Sequence, residues 1–405
     1  MAVDDKCFAR ERNLPADSPV VSPDAYSLAV LNTLAVENYR SLRHLVLPLA
    51  RLTVVTGANG SGKSSLYRAL RLLADASRNG AVAALAREGG LQSTLWAGPE
   101  AGKGTQGTVR TKPVGLRLGF AGDDFGYALD LGMPIPIVTE FNLDPEFKRE
   151  CLWRGAALKP ATLLADRANG TVRDRGDDGA WAAPRKIRLT DSLLAESASP
   201  EVLMMRERIR SWRFYDQFRT DADAPARASR IGTRTPVLDH DGADLPAALQ
   251  TIREIGAAAA LDEAVANAFP GARVEIVNHD TRFGLCFHQR GLLRPLDAAE
   301  LSDGTLRYLL WVAALLTPRP PELLVLNEPE TSLHPDLLVP LAALIATAAE
   351  RMQLVVVTHA RPLIRAIEVV AEDHVSTLTL VKDLSQTTLD GQGRLDEPSW
   401  HWPKR

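Results

Sequence analysis

Apolar runs that alternate with glycine-rich or polar turns divide the chain into two regions of strand and helix. Residues 52–75 predict an apolar strand, a glycine-rich turn and a helix with apolar residues at helical spacing. Residues 301–360 predict an apolar helix, a buried strand ending in acidic residues, a proline-started turn with its helix, and a second buried strand. Strands that alternate with helices in this way indicate an α/β fold.

The segment between these regions has a different pattern. Short alternating runs, VGLRLGF and GYALDLG within 114–132 and RVEIVN and RFGLCFHQ within 273–289, predict antiparallel strands. Ser199 and Pro200 predict the start of a helix that continues to Phe218. An alanine-rich stretch predicts one long helix from 246 to 268. The middle of the chain is therefore expected to form a second, α+β lobe.

Composition places the chain among ordinary globular proteins. It has 405 residues and a net charge of −3, so no overall basic excess indicates a nucleic-acid partner, although a local patch would be sufficient. Cys7, Cys151 and Cys286 lie far apart and favour neither a disulfide framework nor a zinc site. The start lacks a signal-peptide core, and no apolar run approaches the roughly 18 residues that cross a bilayer. We therefore expect a cytoplasmic protein with no membrane contact.

The glycine-rich turn has the spacing of a phosphate-binding loop, G-x-x-x-x-G-K-[ST]. Glycines let backbone amides turn towards phosphates, the helix start adds positive potential, and the lysine reaches the β- and γ-phosphates. The Ser64 hydroxyl is a candidate Mg²⁺ ligand. A glycine turn that binds no ligand is the alternative. The candidate nucleotide-binding residues are Gly57, Ala58, Asn59, Gly60, Ser61, Gly62, Lys63, Ser64 and Ser65.

The second region also carries candidate chemistry. Ser302 begins the apolar helix in LSDGT, where backbone amides and the helix dipole can meet an anion; a plain helix cap is the alternative. Glu328 ends the first buried strand and His359 ends the second. Because ligands bind at the carboxyl ends of parallel strands, we expect Glu328 in an active site rather than as a turn cap. Glu330 and His334 are either neighbours of that site or ordinary turn residues.

This order of motifs resembles the ATPase head of the ABC class, with a Walker A loop, an LSGGQ-like signature, a Walker B strand, a D-loop-like turn and a switch histidine. The wording is most similar to bacterial predicted ATPases of the AAA_21 type, which are relatives of the RecF/SMC-like recombination and chromosome-maintenance ATPases. The similarity covers residues 28–75 and 290–370 firmly. It is carried by ENYRSLRHLVLPLARLTVVTGANGSGKSSL, LSDGTLRYLLWVAALL, NEPETSLHPDLL, VVVTHA and SWRFYDQF.

The resemblance implies an α/β P-loop NTPase whose ABC-type head, a mixed sheet flanked by helices, carries an inserted α+β lobe. The expected division is a flexible lead at 1–26, the first part of the head with Walker A at 27–100, the lobe at 101–290, and the remainder of the head at 291–405. ATP and Mg²⁺ are the implied cofactors. The signature residues would act on the ATP of a second subunit, so an ATP-dependent homodimer is implied; these residues are Ser302, Asp303 and Gly304.

The same resemblance assigns roles around the phosphate loop. Glu328 would polarise the attacking water, and His359 would sense the γ-phosphate. Mg²⁺ would be held by Ser64, Asn327 and Gln92. Gln92, in GGLQSTLW, is the candidate for the glutamine that links the metal to the lobe, and an ordinary surface glutamine is the alternative.

Two residues depart from the family pattern. Asn327 stands where an aspartate usually precedes the catalytic glutamate; it keeps one carbonyl acceptor but has no charge. We therefore expect weaker Mg²⁺ binding and slow but competent hydrolysis, because Coulomb attraction to the metal is reduced. Asp303 replaces one of the two glycines of the signature and adds negative charge where a phosphate would approach.

Three functions are compatible with these residues. The first is an ATP-gated dimeric ATPase in DNA maintenance, repair or anti-phage defence, with DNA and a separate nuclease or effector protein as candidate partners; the DNA role rests on analogy alone. The second is a nucleotide-controlled protein-binding module with slow hydrolysis. The third, a transporter motor, has the right head but the wrong insertion. Arginines between Arg206 and Arg219 indicate either a nucleic-acid surface or an amphipathic lid helix.

Overall fold

A computed structural model describes residues 31–98, 114–136, 138–176, 178–393 and 395–405. The lead predicted at 1–26 and Cys7 lie outside the described residues. The α-helices are α1 (Lys63–Ala76), α2 (Ala81–Arg87), α3 (Leu91–Thr94), α4 (Leu193–Glu196), α5 (Pro200–Ser211), α6 (Leu245–Ile255), α7 (Ala258–Ala268), α8 (Asp303–Leu315), α9 (Leu338–Ala349) and α10 (Arg361–Ala371).

The strands of the described residues belong to three sheets. They are β1 (Leu31–Tyr39), β2 (Leu42–Pro48), β3 (Leu52–Gly57), β4 (Leu116–Gly122), β5 (Phe125–Gly132), β6 (Glu146–Arg154), β7 (Leu163–Ala168), β8 (Thr171–Asp174), β9 (Arg185–Lys186), β10 (Arg213–Tyr215), β11 (Arg230–Ile231), β12 (Arg273–His279), β13 (Arg282–His288), β14 (Leu296–Asp297), β15 (Leu323–Asn327), β16 (Gln353–Val357), β17 (Val375–Asp383) and β18 (Gln386–Leu389).

The central sheet has the order β10-β15-β16-β3-β17-β18. Its strands are parallel except β18, which returns antiparallel to β17. This register brings the carboxyl ends of β10, β15, β16 and β3 to one edge of the sheet, where ligands of α/β proteins bind. The predicted α/β class with a mixed sheet is confirmed.

Both faces of the central sheet are covered, which explains why its strands are apolar throughout. Successive side chains of β15 point to opposite faces. Leu324 and Leu326 contribute to a core with α6 to α9, whereas Leu323 and Val325 contribute to a core with α1, α5 and the antiparallel sheet. β15 is therefore held between two packed layers, which fixes the position of the residues that follow it.

The antiparallel sheet has the order β2-β1-β4-β5-β6-β7-β8-β9. The strands predicted from VGLRLGF and GYALDLG are β4 and β5, and those predicted from RVEIVN and RFGLCFHQ are β12 and β13 of the small third sheet. β1 and β2 precede the phosphate loop but lie in the same sheet as β4 to β9. This sheet therefore includes strands from both sides of the boundary predicted at residue 100.

Two helix predictions were wrong in extent. The helix that begins at Ser199 and Pro200 ends at Ser211, and residues 213–215 form β10 at the edge of the central sheet. Pairing with β15 and burial of Tyr215, whose hydroxyl donates to the Leu238 carbonyl at 2.6 Å, outweigh local helical preference here. The alanine-rich stretch forms two helices, α6 and α7, which are separated at Gly256 and Ala257.

Candidate nucleotide-binding site

The phosphate loop connects β3 to α1 and requires glycine at two positions. Gly57 has φ 150° and Gly62 has φ 109°, both in the region that L-residues rarely adopt. A Cβ on Gly57 would lie 2.3 Å from the Leu380 carbonyl oxygen, and one on Gly62 would lie 2.3 Å from Thr387 Oγ1. Thr387 also donates to the Ser61 carbonyl at 2.7 Å. The β17–β18 hairpin therefore fixes the shape of the loop from behind.

Lys63, the first residue of α1, is buried against the loop. Its Nζ donates to the carbonyl oxygens of Gly57 at 2.7 Å and Ala58 at 3.1 Å. Burial lowers the pKa of Lys63, and the nearby carboxylates of Glu328 and Glu330 act in the opposite direction. The lysine is therefore within electrostatic reach of the acidic residues that follow β15.

Of the remaining loop positions, Ser65 is half-buried and the others are either exposed or buried. Ala58, Asn59, Gly60 and Ser64 are exposed, so the outer rim of the loop and the first turn of α1 are open to a ligand. Ser61 is buried, and its Oγ has no hydrogen-bond partner among the described residues. A buried hydroxyl with no partner is costly, which fits a loop whose hydrogen bonds are completed by a bound group.

Glu328, Glu330 and His359 meet at the carboxyl ends of β15 and β16. His359 Nδ1 lies 3.3 Å from Glu328 Oε1 and 3.4 Å from Glu330 Oε1. Glu328 has φ 48°, an uncommon conformation for a non-glycine residue, and its side chain is 42% exposed. The strained backbone holds an accessible carboxylate beside the histidine. The sequence placed Glu328 and His359 at strand ends, and the structure brings them together.

Glu330 has a different environment from Glu328. Its side chain is only 8% exposed, and Oε1 accepts from Thr358 Oγ1 at 2.7 Å and from the amides of His359 and Ala360 at 3.3 Å each. These amides stand at the start of α10, so the carboxylate complements the positive end of the helix. Glu330 is thus an anchored neighbour of the site. Its other oxygen, Oε2, is buried without a partner among the described residues.

Asn327, the last residue of β15, is paired across the sheet. Its Nδ2 donates to Asp216 Oδ1 at 2.6 Å. Asp216 follows β10, and the register Tyr215 to Leu326 places the two residues side by side at the carboxyl ends of neighbouring strands. The sequence alone does not reveal that Asp216 lies beside Asn327, because it predicts a helix where β10 forms.

The signature residues begin α8. Ser302 is the N-cap, and its Oγ accepts from the Thr305 amide at 3.2 Å. Ser302 and Asp303 are exposed, whereas a Cβ on Gly304 would lie 3.2 Å from the Ser332 carbonyl oxygen in the D-loop-like turn. Arg227 Nη2 donates to Asp303 Oδ1 at 2.7 Å. The extra negative charge of Asp303 is therefore paired with a cation from the 218–227 loop.

Gln92 lies in α3 and is exposed. Among the residues that the structure describes, no hydrogen bond joins Gln92 to Ser64 or Asn327. Its metal role remains a prediction. The strand that does end beside Asn327 is β10, where Asp216 and Gln217 follow Tyr215. A missed signal was available there, since SWRFYDQF has the apolar and aromatic residues that favour a strand.

The arginines of this segment mostly contact the protein itself. Arg208 Nε donates to Glu322 Oε1 at 2.8 Å, Arg210 pairs with Glu207 at 3.2 Å, and Arg219 pairs with Asp221 at 2.7 Å. These contacts favour the structural interpretation over a dedicated nucleic-acid surface.

Among the described helices, none is sufficiently long and apolar to traverse a bilayer.

The protein class follows from this geometry. The fold has a glycine-rich loop between β3 and α1, an acidic strand end two strands away, a histidine after the intervening strand and a capped signature helix. These features define a P-loop nucleotide-binding fold of the ABC type. The model of family AAA_21, described as "AAA domain, putative AbiEii toxin, Type IV TA system", matches residues 52–366. This is more than three quarters of the 405 residues, and the chain belongs to this family.

Solved structures with a similar fold include three heads of SMC proteins. An SMC head bound to the C-winged helix domain of ScpA is 13% identical, with a TM-score of 0.47, over 89% of this chain and 97% of that one. The SMC head domain from Thermotoga maritima is 13% identical, with a TM-score of 0.43 and the same coverage. An SMC head with an extended coiled coil, bound to the C-terminal domain of ScpA from Pyrococcus furiosus, is 11% identical with a TM-score of 0.46, over 89% and 95%. No curated protein matches the sequence.

Proposed function

We propose that this chain binds and hydrolyses ATP with Mg²⁺ and does so as an ATP-gated homodimer. One observation carries the proposal: the accessible Glu328 carboxylate lies 3.3 Å from His359 Nδ1. The negative charge of the same carboxylate acts to raise the pKa of Lys63 in the phosphate loop, against the effect of burial. A phosphate cradle and a general base are thereby adjacent.

Each residue has a defined part in this reaction. Lys63 and the loop amides bind the phosphates, and Lys63 exchanges its two carbonyl contacts for phosphate oxygens. Glu328 accepts the proton of the attacking water, and His359 orients that carboxylate and meets the γ-phosphate. Glu330 keeps the start of α10 in place.

The residues present fit Mg²⁺ only as a partner of the nucleotide. Among the described residues there is no group of three or more histidine, cysteine or acidic side chains suited to hold a metal alone. Ser64 is exposed at the start of α1, and the side-chain amide oxygen of Asn327 is directed away from Asp216. One hydroxyl and one amide oxygen would therefore join the phosphate oxygens as ligands of Mg²⁺. When bound, Mg²⁺ would neutralise charge on the β- and γ-phosphates.

The dimer is proposed because the contacts of the signature residues, among those the structure describes, do not include the phosphate loop of the same chain. Ser302 and Asp303 are exposed beside the 218–227 loop and the D-loop-like turn, whereas the phosphate loop contacts the β17–β18 hairpin. A helix N-terminus of this kind is an anion site that a second subunit's ATP would fill. Association should therefore depend on ATP.

Phosphate release from ATP tests the reaction. We expect Mg²⁺-dependent release by the natural chain and loss of release in Glu328→Gln, which keeps the shape of the site but removes the base. Glu350→Gln, an exposed residue after α9, is the matched control and should retain release. Equal release by Glu328→Gln and the natural chain would exclude Glu328 as the base.

The biological role is proposed to be DNA maintenance, repair or anti-phage defence. The family description, which names a putative AbiEii toxin of a type IV toxin–antitoxin system, supports the defence part. Phosphate release should then be stimulated by DNA or by a separate nuclease or effector protein. No stimulation by single-stranded, double-stranded or nicked DNA, together with no salt-dependent binding, would remove the DNA role.

A nucleotide-controlled protein-binding module is the second candidate. Asn327 favours it, because an amide in place of the carboxylate next to Glu328 would slow hydrolysis and prolong the ATP-bound state. Co-purification of a protein that is retained with ATP and released after hydrolysis would support this function. A protein partner bound equally with ATP and without nucleotide would contradict it.

A further inference from the structure

We infer that Asp216 supplies the negative charge that Asn327 lacks and acts as a positioning residue for the metal side of the nucleotide site. This inference rests on the proposed ATP-binding function. It concerns a residue that lies 111 positions before Asn327 in sequence but directly beside it in the fold.

The pairing determines the orientation of the Asn327 amide. An ionised aspartate only accepts hydrogen bonds, so the amide nitrogen must point towards Asp216 Oδ1, and the contact is short at 2.6 Å. The amide oxygen is thereby directed away from Asp216. Asn327 without this partner would be free to turn its NH₂ group, a donor, towards the metal and its waters. Asp216 therefore keeps an acceptor in place at the end of β15.

Asp216 also lies against the helix that follows the phosphate loop. The Phe214 ring, two residues earlier, meets the Tyr67 ring edge-on at a centroid distance of 5.9 Å. Tyr67 and Asp216 line the same cavity of about 500 Å³. Tyr67 is one helical turn from Ser64, on the same face of α1. The Asp216 carboxylate therefore lies between the end of β15 and the face of α1 that carries Tyr67, one helical turn beyond the serine that would hold Mg²⁺ with the phosphates.

The electrostatic consequence is that the negative charge usually found at the position of Asn327 lies on Asp216 instead. A carboxylate one side chain away from the metal site still attracts a divalent ion, and at an exposed position this corresponds to about a tenfold change in affinity. Asp216 would therefore supply the charge of the usual aspartate from the neighbouring strand, in a cavity that Arg68 and Arg71 also line. Asn327→Asp alone would place two carboxylates in contact, whereas exchanging both residues would restore one carboxylate and one amide.

Metal affinity, rather than turnover, tests this. Mn²⁺ binding by electron paramagnetic resonance is measured with saturating AMP-PNP for the natural chain, Asp216→Asn, the exchanged pair Asp216→Asn with Asn327→Asp, and the control Asp223→Asn. Asp223 is an exposed carboxylate in the same segment. We expect about tenfold weaker Mn²⁺ binding in Asp216→Asn, recovery to within about twofold in the exchanged pair, and no change in the control.

Other results separate the failure of this inference from that of the proposed function. If the natural chain binds AMP-PNP and Mn²⁺ but Asp216→Asn binds Mn²⁺ equally well, Asp216 is not a positioning residue. If the exchanged pair is as weak as the single variant, the effect of Asp216 is not a shared charge. If the natural chain does not bind AMP-PNP at any metal concentration, the proposed function fails and this inference with it. Thermal unfolding in EDTA should be equal for Asp216→Asn and the natural chain, which excludes a loss of fold as the cause.

Discussion

Arg227 holds the signature region together, and replacing it should weaken both the fold and the dimer. Its Nε donates to the carbonyl oxygens of Thr220 and Asp221 at 3.0 Å each. Its Nη2 also reaches the Thr220 carbonyl at 2.8 Å and Asp303 Oδ1 at 2.7 Å. Its Nη1 donates to three carbonyls before α8, those of Ala298, Ala299 and Leu301 at 3.1, 3.2 and 2.7 Å.

The magnitude of the effect follows from the burial of these acceptors. Arg227→Met keeps much of the side-chain volume but removes every donor. Three of the acceptors are partly buried carbonyls, those of Thr220, Ala298 and Leu301. Loss of the hydrogen bond to each should lower the free energy of unfolding by about 1 kcal/mol, which gives about 3 kcal/mol in total. The exposed Asp303 pair adds little, because water screens it.

Urea unfolding followed by tryptophan fluorescence measures the first effect, with Arg219→Met as the control. Arg219 is an exposed arginine of the same segment that pairs with Asp221, so its replacement should change stability by less than about 0.5 kcal/mol. For the second effect, light scattering of Arg227→Met in a Glu328→Gln background, with saturating Mg-ATP, should show a smaller fraction of dimer. Arg227→Met with natural stability and an unweakened dimer would refute this explanation.

Three shorter predictions concern the nucleotide side. Lys63→Ala should abolish binding of a fluorescent ATP analogue, and normal affinity would contradict the loop assignment. Glu328→Gln should accumulate as a dimer with Mg-ATP, whereas Ser302→Arg should bind ATP and remain monomeric; light scattering decides. Asn327→Asp places two carboxylates in contact, which raises the pKa of one above its unfolded value. The stability of the Asn327→Asp variant is measured by thermal unfolding in EDTA and should equal that of the natural chain at about pH 4. It should fall below that of the natural chain as the pH rises to about 7, because the unfolded variant then binds fewer protons than the folded variant. An equal deficit at both pH values would contradict the repulsion between the two carboxylates.

The central α/β fold could be predicted because its signals are local. The phosphate loop, the apolar strands β15 and β16 and the cap at Ser302 are each specified by residues within a few positions of one another. The helix start at Ser199 and Pro200 is confirmed for the same reason, since the Ser199 side chain accepts from the Val202 amide. The order and wording of the motifs were also sufficient to identify the AAA_21 family.

The parts that were missed depend on distant partners. β10 has only three residues, Arg213 to Tyr215, and exists because β15, more than a hundred residues later, offers it an edge. The Asp216 contact with Asn327 and the Arg227 contact with Asp303 have the same origin. Local propensity does not encode such pairings, because they are decided by tertiary packing.

These two contacts change how the unusual residues of this chain are understood. Considered along the sequence, Asn327 removes a charge from the proposed metal side and Asp303 adds one to the signature, and each would weaken the site. In the fold, both are paired with residues of one segment, 213–227, which supplies a carboxylate to the first and a guanidinium to the second. Arg307 of α8 also donates to the Phe218 carbonyl and to Thr220 Oγ1 in that segment. The 213–227 segment therefore contacts both the residue beside the proposed metal position and the first turns of the signature helix α8.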